Sequence, residues 1–133
     1  TRSYEDLAPM ADFLKVVSYN NCAGERYANF IRNIGSTVFR DVPLELLMRV
    51  NNRLLNYSEN EASLDQLPMS GLSADTVFRE TRGAVEGVKG KCLVLPGIDV
   101  NIPTGKNSRK ATEQDTYEAT LAAYKAGANG VIL

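Results

Sequence analysis

Three apolar runs interrupt an otherwise amphipathic chain: residues 13–19 (FLKVVSY), 92–98 (CLVLPGI) and 131–133 (VIL). Continuous apolar runs without polar alternation predict strands of a parallel sheet covered on both faces. Around them, apolar positions recur at helical spacing and the helix ends carry start and stop signals. Ser3-Tyr4-Glu5-Asp6 and Thr112-Glu113-Gln114-Asp115 each set a carboxylate three residues after a hydroxyl, the pattern of a capping box. The second of these predicts a helix to about residue 126, stopped at Gly127, with Tyr117, Leu121 and Tyr124 as its inward stripe. Ser73 predicts the start of another, with Val77, Thr81, Ala84 and Val88 along one face and an end before Gly90. Asp41 and Pro43 open a further helix whose apolar face is Leu44, Leu47, Met48, Leu54 and Leu55. One more is expected over 25–33.

The resulting order is helix, strand, helices, a polar connection, helix, strand, helix, strand, which is α/β. Residues 58–70 (SENEASLDQLPMS) are polar with one proline and read as a surface loop or insertion within a single domain spanning 1–133. The second and third strands, with the helix between them, fit a right-handed β-α-β crossover.

The closing run AAYKAGANGVIL is similar to the helix-to-strand junction of many TIM-barrel enzymes: Gly127 ends the helix, Ala128 tucks under the sheet, and Gly130 lets the chain turn into a buried strand. The resemblance implies a partial (β/α)8 barrel of about three parallel strands with flanking helices, a piece of a longer chain. A small doubly wound parallel sheet is the alternative. Residues 12–20 (DFLKVVSYN) resemble a strand of chitinase-like glycoside hydrolases, with Tyr19 and Asn20 on positions whose Tyr and Asp face the sugar. Asn20 replaces the acid and Val17 replaces a methionine. This resemblance implies a carbohydrate-binding barrel that hydrolyses glycosides in its complete form. Two alternatives stand beside it: a phosphate-binding barrel enzyme (aldolase, isomerase or flavin enzyme), and a sugar-binding barrel without catalysis.

Composition narrows the chemistry. The 133 residues are 44% apolar and 23% charged, with 15 basic and 16 acidic side chains and a net charge of -1. Such a balance lacks the footprint of a nucleic-acid binder or a polybasic membrane anchor, so neither partner is expected. No apolar run approaches the roughly 20 residues that span a bilayer, and the opening residues lack a signal-peptide pattern. Histidine is absent, which removes the commonest metal ligand and general base; no metal and no cofactor is expected. Cys22 and Cys92 are expected at opposite ends of the strands, too far apart for a disulfide.

Function in a parallel sheet gathers after the C-terminal ends of its strands. The first such mouth is Tyr19, Asn20 and Asn21: an aromatic plane for the apolar face of a sugar, and amides that both donate and accept. The second is Asp99 and Asn101, with Asp99 the candidate catalytic carboxylate. Lys106 and Arg109, beside Lys110, complete the expected substrate-binding set as a possible anion site or, more plainly, a solvated approach to the next helix. Glu25 is read as a helix-start acid rather than as the second carboxylate that glycosidase chemistry requires.

Overall fold

A computed structural model of the chain describes residues 3–55, 57 and 62–133. They form two compact units. One takes the chain up to Asn20, Ser73–Asn101 and Ala111–Leu133; the other takes Asn21–Leu72 and Ile102–Lys110.

The first unit is built on a short parallel ladder. Strands β1 (Phe13–Leu14) and β2 (Leu93–Val94) pair with Phe13 opposite Leu93 and Leu14 opposite Val94. Single parallel bridges extend the register, Val17 to Gly97 and Gly97 to Ile132. This is not a partial barrel of three strands: helices dominate, and the sheet among the described residues has two strands. Pro96 gives the physical reason. The N–H groups of Leu93, Leu95 and Gly97 donate to Asp12, Leu14 and Val16 on one side, so those of residues 94, 96 and 98 point to the other side. There Val94 donates to the Asn129 side chain at 2.9 Å and Ile98 donates to the Ile132 carbonyl at 2.8 Å. Pro96 has no N–H to give between them, so the third apolar run is held at one bridge instead of a ladder.

The double covering expected of the strands is also corrected. Leu14, Val16, Val94 and Ile98 turn toward helix packing, whereas Phe13, Val17 and Leu93 lie exposed on the opposite face. Helix α1 (Tyr4–Leu7), the 3-10 turn Ala8–Met10 and helix α5 (Ala74–Val88) supply the covered side. Ala8, Ala84 and Val88 pack with Val16 and Val94; Val77 packs with Ile98 and with helix α6 (Glu113–Lys125). The predicted α5 stripe of Val77, Thr81, Ala84 and Val88 is buried throughout. Both capping boxes form, Ser3 with Asp6 and Thr112 with Asp115, and Gly127 takes the left-handed conformation past α6 with φ of 98°. The inward stripe of α6 is a correction. Ala119, Ala123 and Ala126 are its buried residues, and Tyr117, Leu121 and Tyr124 point outward.

The second unit packs α2 (Asn20–Ser36, entering from the first unit), α3 (Leu44–Leu54) and the short α4 (Leu67–Ser70) around Tyr27, Ala28, Ile31, Leu47, Met48, Leu64, Leu67 and Leu72. Leu44, Leu54 and Leu55, expected on the buried face of α3, are exposed. Of the segment 58–70, residues 58–61 lie outside the described residues; the remainder contributes two core side chains, Leu64 and Leu67. Helix α2 begins at Asn20, five residues before the expected start, and Gly24 lies within it at a close approach. A Cβ there would stand 2.1 Å from the Leu67 carbonyl oxygen and 2.8 Å from the Gly71 Cα.

Candidate functional site

Tyr19, Asn20, Asp99 and Asn101 belong to the first unit; Asn21, Lys106 and Arg109 belong to the second. Each group has its own geometry.

In the first unit the ladder sets the site. The last bridge between these two segments pairs Val17 with Gly97, and Tyr19 and Asp99 each follow it by two residues. Side chains alternate along a strand, so Lys15, Val17 and Tyr19 share the open face of the sheet. Lys15 places its ammonium 5.2 Å from the centroid of the Tyr19 ring, a cation–π arrangement. Gly97 makes room for that ring: a Cβ on it would lie 2.8 Å from Tyr19 Cε1 and 2.9 Å from Lys15 Cε. Asp99 is only 2% exposed, and its backbone carbonyl accepts from the Thr116 hydroxyl at 3.4 Å. Asn20 is buried as the first residue of α2, and Asn101 is exposed. Ser18, between Val17 and Tyr19, is buried, and its hydroxyl has no hydrogen-bond partner among the described residues. Sequence reading overlooked Lys15, Ser18 and Thr116. The period-2 spacing of 15, 17 and 19 carried the signal for Lys15; the other two depend on packing.

In the second unit the polar residues fasten the 102–110 loop to α2. The Arg109 Nε donates to Asn21 Oδ1 at 3.1 Å, and the Arg109 backbone N–H donates to the Pro68 carbonyl at 2.8 Å. Glu25 accepts from the Gly105 N–H at 3.2 Å through each carboxylate oxygen. The Ser108 hydroxyl beside Glu25 holds its carboxyl below the usual glutamate range, with the Gly105 N–H adding to this and burial opposing it. Lys110 donates to the Thr104 hydroxyl and to the carbonyls of Thr104 and Gly105. Arg109 and Lys110 are thus engaged within the loop and its seat, whereas Lys106 is exposed and makes no hydrogen bond among the described residues. The stretch read as a solvated approach to α6 is a docked strap. Glu25, read as a helix-start acid, lies in the second turn of α2 and anchors it.

Among the described residues no group of three or more Cys, Asp and Glu side chains is placed to hold a metal ion, and no helix is long and apolar enough to cross a membrane. Cys22, which is buried, and Cys92 are not joined in a disulfide. No protein-family model, curated protein or solved structure matches the chain.

Proposed function

We propose that this chain binds a neutral carbohydrate at the C-terminal end of its parallel ladder. Tyr19 is the surface on which the apolar face of a sugar ring stacks, and Lys15 donates to its hydroxyls, while Asp99 is buried just past the strand end. The observation that carries this reading is the Tyr19 ring seated over Gly97 with the Lys15 ammonium 5.2 Å from its centroid, just past the Val17–Gly97 bridge. Strand ends of this kind are where open parallel sheets meet their ligands. A net charge of -1 and the internal engagement of Arg109 and Lys110 favour an uncharged ligand over a phosphate.

Bond cleavage is a separate step. It needs a second carboxylate about 5 Å from Asp99 for retention of configuration, or roughly 6.5–9.5 Å away for inversion.

The test is a two-dimensional amide NMR titration with oligosaccharides of N-acetylglucosamine, glucose and xylose. Saturable shifts are expected at Val17, Tyr19, Gly97 and Asp99 with at least one of them, lost in Tyr19→Ala. If none of the three series shifts these residues at about 10 mM, where affinities as weak as roughly -3 kcal/mol would still register, the proposal fails.

A further inference from the structure

Helix α6 turns its small residues inward and its large ones outward. Ala119, Ala123 and Ala126 are fully buried, while Tyr117, Leu121 and Tyr124 are 63%, 39% and 52% exposed. These three recur at i, i+4 and i+7, so they form one ridge along the helix. A contiguous ridge with two aromatic residues is the composition of an interface core rather than of ordinary solvent-facing surface.

The charges beside the ridge identify what it fits. Glu118 and Lys125 lie on the same flank, seven residues apart and nearly symmetric about Leu121. When two such helices run antiparallel about Leu121, Leu121 meets its own copy, Tyr117 meets Tyr124 of the second copy, and Glu118 meets Lys125 of the second copy. In a parallel pair the flank that carries Glu118 and Lys125 faces the opposite flank of the second copy, so the two charges do not meet each other. The pattern is thus complementary to itself in one orientation only. Both charged groups are exposed; Glu118 also accepts from the Gln114 amide at 2.8 Å, a bond on its own helix that leaves a carboxylate oxygen for a second donor. Beside the N-terminal half of the ridge lies a recess of about 490 Å³, lined chiefly by Val100, Thr116, Tyr117, Thr120 and Val131. An antiparallel pair brings the Tyr124 ring of the second copy to that recess.

We propose that the outer face of α6 is the contact of a two-fold antiparallel homodimer centred on Leu121. The contact closes at two copies because it is isologous. Three large side chains and their flanks bury on the order of 400 Å² per copy, about half of what a standard interface buries on each side, so association is weak and concentration-dependent.

Sedimentation of the whole chain from about 10 µM to about 1 mM tests this, because that range spans weak dissociation constants. The expected result is a shift from one copy to two, stopping at two. Leu121→Lys, Glu118→Lys and Lys125→Glu, each checked for unchanged circular dichroism, are expected to weaken dimerisation at least about tenfold. The double variant Glu118→Lys with Lys125→Glu restores opposite charges across the two-fold axis and is expected to recover the dimer. A chain that stays monomeric throughout, leaving the ridge to a different partner, overturns the proposal. So does growth past two copies, or a double variant no stronger than the single ones.

Discussion

Glu25 accepts the backbone N–H of Gly105 through each of its carboxylate oxygens at 3.2 Å, which ties the middle of the 102–110 loop to the second turn of α2. Because the Ser108 hydroxyl and the Gly105 N–H favour the ionised form, the folded chain binds a proton at Glu25 less readily than the unfolded chain does. The anchoring is therefore fully present above the unfolded glutamate value and is lost as pH falls through the lower, folded one. Amide exchange at Gly105 and Ser108 is expected to accelerate in Glu25→Ala at neutral pH. In the parent chain the same acceleration should appear only under acid conditions, and equal protection in the two proteins would contradict the anchoring role.

Gly24 and the Leu67 carbonyl define a close approach of a different kind. The first atom a Cβ would meet is backbone, 2.1 Å away, with the Gly71 Cα behind it, so side-chain rotation cannot relieve the clash. Gly24→Ala is expected to cost more than about 2 kcal/mol by urea denaturation, whereas Gly83→Ala, which meets nothing within 4 Å, should be neutral or slightly stabilising through helix propensity. Similar midpoints for the two variants would show that the approach is looser than these distances.

Thr81 is 0% exposed on the inner face of α5, and its hydroxyl has no hydrogen-bond partner among the described residues. A buried hydroxyl in that state carries an uncompensated desolvation cost, and valine has nearly the same shape without it. Thr81→Val is expected to raise stability by about 1 kcal/mol, read as a higher urea midpoint at unchanged slope. A loss of stability would mean that the hydroxyl is satisfied.

Tyr27 donates to Asn52 Oδ1 at 2.7 Å and meets Tyr57 edge-on, with ring centroids 5.7 Å apart. Burial first, and then Tyr57, pushes the Tyr27 hydroxyl up to about 12. The folded state thus keeps a proton that the unfolded state releases near pH 10, so Tyr27 contributes stability below pH 10 that is lost as pH rises toward 12. Tyr27→Phe is expected to lose about 1 kcal/mol at neutral pH and to flatten the alkaline decline in melting temperature. An unchanged alkaline slope would assign the decline to another group.

Local chemistry made some of this legible. The capping boxes at Ser3 and Thr112 are contained within four residues, and the α5 stripe needs only a neighbour on one side, so pattern sufficed for both. Of the candidate site, the strand-end rule drew attention to both Tyr19 and Asp99. It could not give the burial of Asp99 or the seat of Arg109 on Asn21, since these depend on residues up to 88 positions apart in sequence.

What the sequence determined by itself was the helix starts at Ser3 and Thr112, the stop at Gly127, the places of the first two strands, and the absence of histidine from these residues. Tertiary structure decided the rest. Pro96 ends ladder growth only because its missing N–H faces the third apolar run, and position 24 has no room for a Cβ because another backbone lies against it. Alanines, not tyrosines, face inward on α6, where Ala119 and Ala123 pack against Val77 and Ile98. Propensity and periodicity describe what each segment can do alone; the space left by its neighbours selects which face it buries.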